Sequence, residues 1–181
     1  MLIISLIKGS CNFVTSDFPN KNPHTQNHLT ITGMNIKLIP ITTDRKSKQT
    51  YLKDAFCVEF YNIYKELYPK IGFNKPWIGY FALHNDEVIG VGGFKGVPNN
   101  NTVEIAYGTV PKKEGLGFAN KICKQLTLIA LNETSNLKIT ARTLMEESAS
   151  THILRKNNYN FIGIVEDPND GKVWEWEFQK D

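Results

Sequence analysis

Two glycines, Gly115 and Gly117, stand in the segment "TVPKKEGLGFANK", between an apolar run and a run with helical spacing. The first-turn amides of a helix have no partner inside the helix. Together with the helix dipole they favour an anion by roughly 0.3–1 kcal/mol per charge, and up to ~2 kcal/mol when partly buried. Glycines just before such a helix let a phosphate reach the backbone with no Cβ in the way. Residues Glu114 to Ala119 are therefore a candidate cradle for a phosphate or pyrophosphate. On the glycines alone, a tight loop with no ligand is an equal reading. Spacing removes two nucleotide folds: no G-x-x-x-x-G-K-[ST] string occurs, and the position three after Gly117, where a dinucleotide fingerprint needs glycine, is Asn120.

The elements that must position this loop follow from periodicity. "MNIKLIPIT", Met34 to Thr42, alternates as a first strand. "SKQTYLKDAFCVEFYNIYKEL" carries apolar residues at offsets of three and four, an amphipathic helix broken by "YPKIGFNKP" with its two prolines and glycine. "WIGYFALHNDEVIGVGGFKG" reads as a hairpin, and "TVEIAYGTV" as a third strand of that group. "FANKICKQLTLIALNET" is a helix with Ile122, Leu126, Ile129 and Ala130 on one face. "NLKITART" is a strand. "SASTHILRKNN" is a short helix with Ser148 as N-cap. "YNFIGIVED" and "KVWEWEF" are strands joined by the turn "DPNDG". The order β-α-β-β-β-α-β-α-β-β, without internal repeat, predicts a mixed α/β sheet protein.

Composition bounds the rest. With 181 residues, 41% of them hydrophobic, the chain suits one domain with a tail, and its formal charge of +3 is spread among scattered lysines, which gives nucleic-acid binding no support. Cys11, Cys57 and Cys123 form no C-x-x-C pair, so neither a metal site nor a disulfide framework is expected, and reduced thiols point to a cytoplasmic protein. No apolar run approaches the ~20 residues that span a membrane. Residues 1–33, rich in Asn, Thr, Pro and Ser, read as a flexible extension or leader, with the domain proper expected over 34–181 and Met34 a candidate start. The aromatic residues Trp77, Tyr80, Phe81, Phe94, Trp174 and Trp176 are expected in the core.

In this setting "EIAYGTVPKKEGLGFANKICKQL", Glu104 to Leu126, resembles the acetyl-CoA-binding segment of the GCN5-related N-acetyltransferase (GNAT) superfamily, most of all the branch acting on ribosomal-protein N-termini. The pattern [Q/R]-x-x-G-x-[G/A] aligns as Glu114-Gly115-Leu116-Gly117-Phe118-Ala119, with Glu in place of the usual Gln or Arg; a second frame begins at Lys112. "ARTLMEESASTHILRKNNYNFIG" resembles the later family motif through Ala149, Ser150, Lys156 and Tyr159. Glu147 holds the place of the usual Asn, Asn158 that of a Gly, and Leu154 that of a tyrosine acid. The resemblance implies a mostly antiparallel mixed sheet flanked by helices.

It also implies chemistry: a neutral amine attacks the thioester of bound acetyl-CoA directly, the acceptor being a small-molecule amine or a protein N-terminus, with a homodimer compatible. An α-amine has a pKa near 7.7–8.0 and a lysine near 10.4, so a base is needed more for the latter. Some family members place a carboxylate early in the strand before the loop, which makes Glu104 the candidate base, the competing reading being a strand carboxylate in an ion pair. A backbone N–H late in that strand, near Thr109 or Val110, is expected to face the thioester oxygen, and Gly108 to Val110 to lie along the pantetheine arm. Ser150 is a candidate CoA contact. Tyr159 is expected to pack in the core, His152 at the surface and His84 at a hairpin turn. The loop "YPKIGFNKPW" is expected near the acceptor pocket. Two other readings stay open: an acyl-CoA-binding sensor without turnover, and a nucleotide-binding protein that ignores CoA.

Overall fold

The alternating and helical patterns resolve into seven strands and three helices among the described residues of the computed structural model, namely 35–43, 51–134 and 136–180. The chain runs β1 (Lys37–Pro40), α1 (Ala55–Ile71), β2 (Gly79–His84), β3 (Glu87–Phe94), β4 (Thr102–Thr109), α2 (Phe118–Glu133), β5 (Lys138–Thr143), α3 (Ala149–Lys156), β6 (Tyr159–Asp167) and β7 (Gly171–Phe178). A 3-10 turn at Pro111–Lys113 leads into α2. The expected extension over 1–33 lies outside the described residues. So does Cys11.

Local chemistry sets the element ends. Asp54 caps α1 by accepting the Phe56 N–H at 2.9 Å. Cys57, Phe60, Tyr61, Tyr64 and Tyr68 then recur on one buried stripe. The helix continues past the expected break: Pro69 sits inside its last turn and the chain leaves only at Gly72, whose φ of +80° suits a helix exit. Pro69 forfeits one hydrogen bond, to the carbonyl of Lys65, and at a helix end that single loss is tolerated. The β2–β3 turn uses Asn85 and Asp86, both at positive φ, as a two-residue hairpin demands.

The sheet order is β1-β2-β3-β4-β5-β7-β6. Every neighbouring pair is antiparallel except β4 and β5, which α2 joins as a crossover. That parallel pair is short: it spans Thr102 to Glu104 against Lys138 to Thr140. Beyond Glu104, β4 stays with β3 while β5 stays with β7. The sheet therefore forks at Glu104.

Glycines decide which helix covers which face. A Cβ at Gly90 or Gly92 on β3 would run into Ile122, and at Gly92 into Leu126 as well, so α2 lies against that face. A Cβ at Gly79 or Gly93 would collide with Tyr64 of α1 on the other face. Tyr64 is fully buried there and donates its hydroxyl to the Phe94 carbonyl at 3.1 Å. At Gly93 the added carbon would also strike the Ile78 carbonyl and the Gly79 Cα, which are backbone and cannot rotate away. Gly93→Ala is expected to cost about 1–3 kcal/mol and lower Tm by ~2–12 °C, read by thermal denaturation. Tyr80, Phe81, Phe94 and Trp176 are buried as expected, with Trp77 and Trp174 partly so.

Candidate active site

The fork, the start of α2 and the start of α3 enclose a cleft of about 710 Å³, within the size range of small-molecule and cofactor sites. Of the residues singled out in the sequence, the cleft brings together Thr109, Glu114, Gly115, Gly117, Phe118, Ala119 and Ser150. Gly108, Val110 and Leu116 do not line it; Gly108 is paired to Val91 in the sheet and Leu116 is half exposed on the loop. Tyr107, Lys113, Asn120, His152 and Lys156 line it and were not expected there. His152 is exposed, as expected, at the cleft wall.

Strand parity explains which backbone groups are available. Lys95 N–H donates to Glu104 O at 3.0 Å and Val110 N–H to Ile89 O at 3.1 Å. In an antiparallel ladder the hydrogen-bonded positions alternate. The even residues Glu104, Ala106, Gly108 and Val110 thus spend their amides on β3. The odd residues Tyr107 and Thr109 turn theirs toward the side from which β5 has departed. Of the two amides expected to face a thioester, Thr109's is directed into the fork, whereas Val110's is consumed within the sheet; Tyr107's is the second open donor.

The loop above the fork is shaped by conformation rather than crowding. Gly115 and Gly117 have φ of +75° and +80°, and a Cβ at either would meet nothing within 4 Å. Gly117 is the N-cap of α2 with no side-chain cap, and no acidic residue occupies the first turn. The amides of Phe118, Ala119 and Asn120 therefore have no helical acceptor. Asn120 is fixed sideways, its Oδ1 accepting from Asn157 Nδ2 at 2.9 Å, which ties α2 to the end of α3. Glu114 is exposed, so its carboxylate stands at the cleft's solvent side.

On α3, Ser148 caps the helix and its own N–H donates to Thr151 Oγ1 at 3.0 Å. Ser150 is buried at the cleft wall. Glu147 takes both Arg155 nitrogens at 2.6 and 2.7 Å. Those bonds, then that from Thr151, pull its carboxyl down to about 2. Because the folded value is depressed, the contribution is present above the ordinary carboxylate value and is lost as pH falls toward 2. The Tm difference between the wild type and Glu147→Gln is therefore expected to shrink steadily from pH 5 to pH 2. Leu154, in the tyrosine place, is fully buried. Tyr159 is too, its hydroxyl 2.8 Å from Thr127 Oγ1, a packing role. Tyr107's hydroxyl is buried against the Cys123 thiol without a well-formed hydrogen bond, and burial raises it well above the ordinary tyrosine value.

Glu104 sits at the fork on the α1 face, since Gly93, the partner of Ala106, packs against Tyr64. Its Oε1 lies 2.5 Å from Lys95 Nζ and its Oε2 3.5 Å from Arg142 Nε. Burial pushes its carboxyl above the ordinary value, while Lys95 and Arg142 pull it back and Asp167 adds to the rise. It is an ion-pair partner and is absent from the cleft lining.

A mixed sheet thus forks after one short parallel pairing, with the Tyr107 and Thr109 amides turned away from β3 and a glycine-led helix start without a side-chain cap at the fork. The chain matches the model of the acetyltransferase (GNAT) domain over residues 24–160, and it belongs to that family. A sequence search of curated proteins gives no match. Among solved structures it is similar in fold to a chimera of the spermidine N-acetyltransferase SpeG from Vibrio cholerae and hSSAT, with TM-score 0.57 and 14% identity over 81% of this chain and 95% of that one. The ribosomal L7/L12 α-N-protein acetyltransferase RimL, solved with coenzyme A, gives TM-score 0.52 and 14% identity over 67% and 70%. The aminoglycoside acetyltransferase AAC(6')-Ib, also solved with coenzyme A, gives TM-score 0.50 and 17% identity over 57% of this chain, which spans 66% of that enzyme's length. No described helix is long and apolar enough to cross a membrane, and the described residues hold no metal-binding cluster.

Proposed function

We propose that the protein transfers an acetyl group from acetyl-CoA directly to a primary amine. The observation that carries this is the fork: Tyr107 and Thr109 turn their amides away from β3 beyond the last β4–β5 pair, and α2 presents its first turn, without a side-chain cap, at the mouth. Acetyl-CoA needs those features in that order. Its pyrophosphate takes the Gly115–Asn120 amides, its pantetheine arm runs along β4, and an amide of Tyr107 or Thr109 faces the thioester oxygen, where charge develops in the transition state. Lys156 on the cleft wall supplies positive charge for the phosphates, whereas Lys113, also on the wall, has its ammonium 2.7 Å from Glu87 Oε2.

The acceptor approaches from the α1 face, where Glu104 takes a proton from the acceptor ammonium so that the neutral amine can attack the thioester carbon. A carboxyl raised by burial is closer to the operating pH and is the better base for it. Leu154 stands in the place of the tyrosine acid, so the proton returns to the leaving thiolate through solvent. The test is coenzyme A release with three amines of different class: spermidine, kanamycin and a short peptide with a free α-amine. Turnover with one of them establishes transfer. Binding of acetyl-CoA with no release to any of the three, or to a broader amine panel, would replace the transferase by a sensor on the same fold.

A further inference from the structure

Four charged side chains close a ring at the point where β4 and β5 part. Lys95, one residue past β3, reaches Glu104 at 2.5 Å and Asp167 at 3.6 Å. Arg142 on β5 reaches the same two carboxylates, at 3.5 and 3.1 Å. The signs alternate around the ring, and each cation bridges both acids. Glu175 on β7 joins from outside, 3.4 Å from Arg142. The members come from four different strands or their ends, and the two acids are the more deeply buried, with Glu104 at 13% and Asp167 at 2% side-chain exposure against 20% for Lys95 and 24% for Arg142.

Such a ring is more than strand glue, because of where it lies. The last paired residue of β4 before the fork is Glu104 itself. Both of its oxygens are held from opposite sides, one by Lys95 and one by Arg142. The contact to Lys95 is the close one, at 2.5 Å, and that to Arg142 is a looser ion pair at 3.5 Å, so Lys95 is the principal cation on this carboxylate. Lys95 is the outer grip: its backbone is already fixed on Glu104 by the 3.0 Å amide bond, so its side chain folds back over the same residue. Arg142 is shared among three acids and is the inner, structural member.

We propose that Lys95 is the positioning residue of the acceptor side, holding the Glu104 carboxylate in place and ionised through the ring it closes with Arg142 and Asp167. The inference rests on Glu104 being the base. Lys95, Arg142 and Asp167 are the charged groups that act on that carboxyl among the described residues, with Glu175 acting through Arg142. A cation within ~4–6 Å lowers a carboxyl by about 1–3 pH units. Removing Lys95 alone leaves the desolvation and the Asp167 charge in force, so ionisation must move upward.

Two readouts separate the inference from the reading beneath it. The first is a carbon-13 carboxyl titration of Glu104, assigned by its disappearance in Glu104→Gln. Its midpoint is expected to rise by about 1–3 pH units in Lys95→Gln and to stay near the wild-type value in Lys95→Arg, with both variants folded by thermal denaturation. An unmoved midpoint in Lys95→Gln overturns the proposal whatever the activity does. The second is the pH dependence of kcat/KM with whichever of spermidine, kanamycin or the peptide turns over. Its acid limb is expected to shift by the same amount in Lys95→Gln, with the plateau at high pH retained, and to return in Lys95→Arg. If the titration moves and the acid limb does not, Lys95 does not position a base and the proposal fails. If Glu104→Gln keeps full turnover, the base reading itself has failed.

Discussion

Gly117→Glu is expected to lose the thermal stabilisation that coenzyme A gives the wild-type protein while remaining folded. At a free concentration 100 times its dissociation constant a ligand stabilises by ~2.7 kcal/mol, which for a chain of this size raises Tm by roughly 5–11 °C. Gly117 is the N-cap of α2 at φ +80° with open space around it, so a side chain there is strained locally but collides with nothing. The new carboxylate would occupy the position proposed for the pyrophosphate and take the amides for itself. Losing charged hydrogen bonds and dipole attraction together is worth about 2–4 kcal/mol, or a ~30- to ~1,000-fold weaker dissociation constant. Gly117→Asn is the control. Asparagine tolerates the left-handed region and brings no charge, so it is expected to keep most of the response. Equal loss in both variants would put the effect on backbone geometry, and no response to coenzyme A in the wild type would remove the cleft's assignment.

Glu104→Gln is expected to lower kcat by ~10²–10⁴, the usual worth of a general base, with coenzyme A binding unchanged. The separation follows from the fold: Glu104 stands on the α1 face at the fork, and the cleft lining does not include it. In the wild type the rate should rise with pH through the ionisation of Glu104, above the ordinary carboxylate value because burial raises it. The glutamine variant should lose that limb, leaving the ionisation of the acceptor amine as the visible one. An α-amine acceptor would then titrate near 7.7–8.0 and a lysine-like one near 10.4, so the same profile reports the class of acceptor. A variant with unaltered kcat and an unaltered acid limb would move the base elsewhere.

Much of the architecture could be read from local rules. The first helix is legible from the spacing of residues such as Phe56, Phe60, Ile63, Tyr64 and Leu67, and the hairpin from its "HNDE" turn. Tyr159 is legible as a core residue from its motif place, whereas the burial of Leu154, in the place of a tyrosine acid, is not. The end of α1 was misread, since Pro69 is a strong breaker in a helix interior and a mild one in the last turn. The fork was not legible. It depends on where the register of β4 and β5 stops, and Val103 and Thr109 look alike as strand residues. The same holds for the amide parity that passes over Val110 in favour of Tyr107 and Thr109. The charge ring lay hidden because Lys95, Glu104, Arg142 and Asp167 are spread over 73 positions and meet only after the sheet forms. His152 and Lys156, one turn apart on α3, could have been paired as one helix face, and that spacing was the available signal.

The alternation along β4 carries an implication for how such a protein changes over generations. On the proposed reading its odd positions would serve the donor, through backbone groups that survive almost any substitution. Its even positions look toward α1, the side proposed for the entering amine, through side chains. A replacement at Ala106, or on the α1 surface facing it, can retune what is acetylated without touching what donates the acetyl group. The two preferences are thus free to drift separately under selection.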